Sequence, residues 1–224
     1  MHKQITFISL IITLLASVFM FAEENVAIML KVRRDVRVFP TNKTNAVQGK
    51  RGYVLQHGNK IETGARSFCA VKFIDDKSLL RIRENSTCTI EGEKEQNKID
   101  KNIIVEIGSF FASLFKPRGS FKVTTPTSVA SVKGTKFWVI QQSPTKYIVE
   151  EGVIEVENDA GKALVRAGQT AVVESRTSEI QVYLTRPGEI PPEIDEQQPG
   201  TQELDIGFQN GQGEEKTLRI KFQE

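Results

Sequence analysis

Short runs of strict alternation between apolar and polar residues dominate the chain from residue 25 to 173. Each run is about five residues long, and glycine, proline, asparagine or aspartate interrupts the pattern every eight to twelve residues. Such spacing suits strands and leaves no room for the long apolar stripe a helix needs to cover a parallel sheet. The expected class is all-β: many short strands in a twisted β-solenoid-like or sandwich-like sheet.

Residues 25–39 open this pattern. Ile28, Leu30, Val32, Val36 and Val38 share one parity, with Arg34 as the misfit. Residues 40–52 read as a polar loop. Strand patterns return over 53–61 and 67–74, and Asp75-Asp76-Lys77 makes a hairpin turn toward Leu80 and Ile82. Residues 91–102 are charged and read as an exposed loop. Residues 103–107 read as strand, whereas 108–115 fit strand or helix, because Ile107, Phe110, Phe111, Leu114 and Phe115 recur at three-to-four spacing. Later strands fall at 146–149, 153–156, 163–166 and 169–173.

The run 121–140, FKVTTPTSVASVKGTKFWVI, changes phase. Ala130 and Val132 put the inward face on even positions, yet Phe137 and Val139 put it on odd ones. Two short strands joined through Gly134 explain this if the glycine hosts a bulge or tight turn, since it alone there tolerates positive φ without cost.

Four segments follow. Residues 1–22 have the short positive, apolar and small-residue order of a signal peptide. Met20 stands where a small residue is usual, which leaves an uncleaved anchor as the alternative. Residues 23–184 form the β domain. Residues 185–200 hold four prolines and four acids and read as a stiff linker. In 201–224, Leu204, Ile206 and Phe208 alternate, as do Leu218, Ile220 and Phe222, around an Asn-Gly turn. That is a β-hairpin with an apolar face, and a lone hairpin needs something to pack on.

The 30 basic residues lose only Lys3 with the leader and face 28 acidic ones, a net charge of +1 spread along the chain. Nucleic acid requires a basic face and is not an expected partner. Cys69 and Cys88 both occupy inward strand positions. Export would allow them to pair, closing a loop of about 20 residues for about 3 kcal/mol; two buried thiols are the other reading.

Little supports catalysis. After export the remaining histidine is His57, in a turn and without a partner cluster. No serine elbow is present, and Lys133-Gly134 lacks the spaced glycines of a phosphate loop. Neighbouring Asp75 and Asp76 suit a turn better than a carboxylate pair. No catalytic, cofactor-binding or metal-binding residue is expected. Trp138, beside Lys136, has outward parity and is the candidate anchor for a partner, unless another strand covers it.

FKVTTPTSVASVKGTKFWV resembles the signature of the FecR-type domain: a Thr-Pro pair (Thr125, Pro126), a small or apolar segment including Val129, then Lys-Gly-Thr-x-Phe (Gly134, Thr135, Phe137). IETGARSFCAVKFIDDKSLLRI resembles the family's strand, Asp-turn, strand unit, and YIVEEGVIEVEN with VRAGQTAVV resembles its closing strands. The likeness spans about 24–174. It implies a periplasmic or cell-envelope β domain that receives a signal from an outer-membrane receptor for ferric siderophores. Such regulators pass the signal on to a sigma factor through a cytoplasmic segment and a membrane helix. Only four residues, Met1 to Gln4, precede the apolar run here, and the small α/β domain that follows in those regulators has no counterpart. Direct transmission to a sigma factor is therefore not expected.

The function expected from all this is a non-catalytic envelope sensor or scaffold module, exported to the periplasm or cell surface, that binds an envelope protein or a glycan. It would touch membrane only through an uncleaved N-terminus. Alternatives are a structural protein that self-associates through its hairpin and, less favoured, an envelope hydrolase or carbohydrate-binding protein.

Overall fold

The computed structural model describes residues 25–192 except 42, 44 and 116, together with the backbone of 202–209 and 215–222. The expected signal peptide and most of the expected linker lie outside them. Among the described residues there is no helix. The first seven strands are β1 (Asn25–Arg33), β2 (Val36–Phe39), β3 (Val47–Gln48), β4 (Val54–Gln56), β5 (Asn59–Thr63), β6 (Phe68–Phe73) and β7 (Leu79–Ile82). Two long ones follow, β8 (Ser86–Glu95) and β9 (Lys98–Ser113). The rest of this unit is β10 (Phe121–Thr124), β11 (Val129–Val132), β12 (Lys136–Gln141), β13 (Thr145–Glu151), β14 (Val153–Asn158), β15 (Gly161–Arg166), β16 (Gln169–Val173) and β17 (Gln181–Leu184).

All seventeen belong to one sheet that folds over into two layers. One layer has the order β4, β1, β6, β7, β9, β12, β13, β16, β17. The other has the order β3, β2, β5, β8, β9, β10, β11, β14, β15. Pairing is antiparallel except between β9 and β10. The inward side chains of both layers form one core, in which Phe73 of the first meets Phe121 of the second edge-on at 5.9 Å.

β9 belongs to both layers. Its first part pairs with β8 and β10, and its last part with β7 and β12. Ile99, Lys101, Ile103 and Val105 point inward, then Gly108, Phe110 and Ala112 do so on the opposite parity. The bend is at Gly108, where φ is +102° and an added Cβ would overlap Ser86.

Passages between the layers carry a residue in left-handed conformation, including Arg34, Arg66 and Asn85 as well as glycines. Strands that switch sheets turn their corners at bends and bulges of this kind. Gly134, with φ +62°, is such a corner: β11 lies in one layer and β12 in the other. The stretch 121–140 is thus three strands, with β10 and β11 as a hairpin and β12 crossing over. The phase change records a change of layer, not a bulge within one strand pair.

The same geometry corrects the reading of residues 25–39. Arg34 has φ +60° and is a corner, so parity flips across it: Ala27 and Met29 are buried before it, Val36 and Val38 after it. Leu30, expected inside, is 42% exposed. Residues 91–102 are not a loop. They form the β8–β9 hairpin, with Gln96 in left-handed conformation at its turn. The helix alternative for 108–115 also fails, because Phe110 and Ala112 are buried with period two in β9.

Cys69 of β6 and Cys88 of β8 are free thiols in the core. Each fills an inward position of its own layer as a small apolar side chain. Burial pushes the Cys69 thiol well up, with the Cys88 charge adding to it, and pushes Cys88 up to about 12.

Residues 191–224 form a second compact unit. In it β18 (Gln202–Gln209) pairs antiparallel with β19 (Glu215–Phe222), placing Leu204 opposite Ile220 and Ile206 opposite Leu218.

Candidate functional site

The signature residues around 125–137 are engaged with the fold itself. The Thr125 hydroxyl accepts from the Ser128 amide at 3.1 Å and donates to the Ser128 carbonyl at 3.0 Å, closing the turn that exposes Pro126. Ser128 Oγ lies 2.9 Å from the buried Tyr147 hydroxyl, and the Thr127 and Thr145 hydroxyls are 2.7 Å apart. At the next corner the buried Thr135 hydroxyl reaches the Val153 carbonyl at 3.1 Å, tying β12 to the start of β14. Phe137 is fully buried and meets Phe110 edge-on at 6.4 Å. Val129 alternates with the core and is 36% exposed.

Trp138 does face away from Phe137 and Val139, yet it is only 3% exposed. It sits in a cross-strand row on the outer face: Arg81, Phe111, Trp138, Ile148, Thr170 and Tyr183 are successive partners. The Phe111 ring packs at 5.0 Å, the Arg83 guanidinium lies 5.8 Å over the indole, and Nε1 donates to Glu150 at 2.8 Å. Parity places the side chain on the outer face; long neighbours lying along that face bury it. Trp138 is therefore not an exposed anchor. Lys136, next to it, pairs with Glu151 at 2.7 Å.

Sequence reasoning missed the most buried charge in the domain. The Lys101 side chain is wholly buried, and its Nζ lies 2.7 Å from Asp75 Oδ2 and 2.9 Å from Asp76 Oδ2. It also donates to the carbonyls of Ile99 and Arg118, each at 3.0 Å. Asp75 accepts from the Ile99 amide and Asp76 from the Ser78 and Arg118 amides. Adjacent carboxylates converge here because they sit in the β6–β7 turn, where a strand's two-faced alternation does not hold. Burial raises the Asp76 pKa, but hydrogen bonds from Lys101 and Ser78 and the Lys101 charge outweigh it, leaving the group below its ordinary value. A signal was present: Lys101 shares the inward parity of Ile99 and Ile103.

This cluster holds one wall of a groove. Residues 117–120 are tied to it through Arg118, and the Ser120 amide donates to Asp100 at 2.6 Å. On one side of Phe115 a cleft of about 350 Å³ is lined by Ile74, Asp75, Asp76, Lys77 and Arg118. On the other, a cleft of about 740 Å³ is lined by Leu114, Lys133, Gly134, Lys136 and Glu151. Phe115 lines both and is 64% exposed; Ile74 is 50% exposed.

The family model described as FecR protein matches residues 59–155. This segment is a FecR-type domain.

The FecR segment runs from the first residue of β5 into β14, and it contains the Lys101 cluster, both clefts and the Gly108 and Gly134 corners. A comparison with curated proteins finds no match. Two solved structures of a protein described as a candidate anti-sigma factor, from Parabacteroides distasonis ATCC 8503, share 16% and 17% identity with the chain at TM-scores of 0.48 and 0.47. Each comparison covers 56% of this chain and 59% of the solved one.

His57 lies outside the FecR segment, exposed, with Nδ1 within hydrogen-bond distance of the Gly92 backbone. Among the described residues, no three acidic, histidine or cysteine side chains gather where they could hold a metal.

Proposed function

We propose that this chain is a non-catalytic sensor or regulator module of the cell envelope that acts by binding another protein. The observation that carries the reading is the FecR match over 59–155, within a segment whose signature side chains are engaged in corners, turns and core. Export through residues 1–22 fits the same reading. No described helix is long and apolar enough to cross a membrane. The partner surface belongs elsewhere than at Trp138, which is covered.

The test is a clean deletion of the gene in its host, with transcript profiling and complementation by the full chain. A regulator changes a defined set of envelope genes and complementation restores it. An unchanged profile under iron-limited, iron-replete and envelope-stress conditions would sink the reading.

A second reading is self-association through residues 201–224. It is favoured by the β18–β19 register, which sets apolar positions of the two strands opposite each other. Sedimentation of the full chain and of a chain ending at 200 decides it: a dimer that becomes a monomer supports it, and a monomer in both removes it.

A further inference from the structure

We infer that the groove centred on Phe115 binds an extended acidic segment of a partner protein, one that lays an apolar side chain on Phe115 and Ile74. This rests on the protein-binding reading above and names the chemistry of the partner.

The groove's floor is apolar and its rim is basic. Phe115 and Ile74 are among the most exposed large apolar residues of the FecR segment. Lys77, Arg118 and Lys133 stand exposed around them. The acids that line the clefts, Asp75, Asp76 and Glu151, are each paired with a lysine. Asp75 and Asp76 turn inward onto Lys101, and Glu151 pairs with Lys136. A ligand therefore meets a surplus of positive charge around an aromatic centre, the composition of a protein-binding hot spot rather than of a polyanion track. The whole chain has a formal charge of only +2, so its basic residues are nearly matched by acidic ones.

The walls are also set before any ligand arrives. The buried cluster fixes 117–120 through both the amide and the carbonyl of Arg118. The other side is held by the Leu114 amide, which donates to the Thr135 carbonyl at 3.0 Å. Such a groove binds without first having to order itself, which favours a short extended peptide.

The experiment pans random dodecapeptides displayed on phage against the full chain and measures the selected peptides by fluorescence anisotropy. The expected set is net negative and carries at least one large apolar residue. Its affinity falls at least tenfold for Lys133→Glu and for Phe115→Ala, falls with added salt, and is unchanged for Lys162→Glu on β15. Both groove side chains are solvent-facing, so melting temperatures of the variants should match the parent. No enrichment, a neutral or basic set, or indifference to both substitutions overturns the inference. Binding of phosphatidylglycerol vesicles that both substitutions abolish, without peptide enrichment, assigns the face to lipid and also overturns it. Failure of the peptides alongside an altered transcript profile in the deletion strain removes this inference and leaves the regulatory reading standing.

Discussion

The buried ammonium of Lys101 lies 2.9 Å from the carboxylate of Asp76, which comes from a turn 25 residues earlier in the chain. Replacing Lys101 by methionine leaves two carboxylates inside without a cation. Breaking a buried ion cluster from one side costs about 3–5 kcal/mol, and urea denaturation should show a loss of that order. The triple change Lys101→Met, Asp75→Asn, Asp76→Asn should lose less than the single one. A triple variant weaker than Lys101→Met would show that the charges are not coupled.

Gly108 and Gly134 both have positive φ, but their surroundings differ. A Cβ at Gly108 runs into Ser86, whereas nothing lies within 4 Å of one at Gly134. Gly134→Ala should cost only the left-handed strain, on the order of 1–2 kcal/mol, and Gly134→Asn less. Gly108→Ala should be clearly worse, because it must also part β9 from β8. Thermal melts of the three variants rank them, and equal losses at 108 and 134 would refute the crowding at Ser86.

The two thiols predict alkaline weakness. Both are held protonated in the fold, Cys88 up to about 12, while an unfolded cysteine ionises near pH 8.5. Between those values the unfolded chain releases protons that the folded chain keeps, so stability is whole below about pH 8.5 and falls as pH rises. The slope approaches about 1.4 kcal/mol per pH unit for each thiol. Cys88→Ala should begin less stable and lose less between pH 9 and 11. Under native conditions at pH 8 a thiol reagent should label neither cysteine, and in denaturant both; an unlabelled pair in denaturant would mean a disulfide.

Trp138 is the sole tryptophan, so its fluorescence reports one environment. Emission should be blue-shifted, and iodide should quench it several-fold less than free tryptophan. Trp138→Phe removes the hydrogen bond to Glu150 and should cost about 1–2 kcal/mol, since the acceptor is charged. Red emission with full quenching would place the indole in solvent.

Much of the fold was legible, because period two survives wherever one face is buried. Ser67–Ile74, the Asp75–Lys77 turn and Leu80–Ile82 read correctly from alternation alone. The corners did not, for alternation states which side is inward only while the chain stays in one layer. Arg34 therefore read as a misfit on an apolar face instead of the point where the face changes. Residues 91–102 hid a strand pair because Gly92, with no side chain to alternate, is where Val26 of the facing layer comes close. The short β17 was missed, though Ile180 and Val182 pack on the core. At the groove, composition showed Phe115 and the lysines but not their convergence, which depends on three separate connections meeting at one end of the layers.

Because β9 contributes hydrogen bonds to four neighbours, two in each layer, neither layer can separate from the other without tearing its central strand. Unfolding of residues 25–190 should then be a single cooperative event, with amides of β9 exchanging only through global opening. The outermost strands, β3, β4, β15 and β17, have a neighbour on one side only and can fray without involving it. Folding should be slow for its size, since most contacts are non-local in sequence, with β1 pairing beyond β2 to β5 onto β6 as one case.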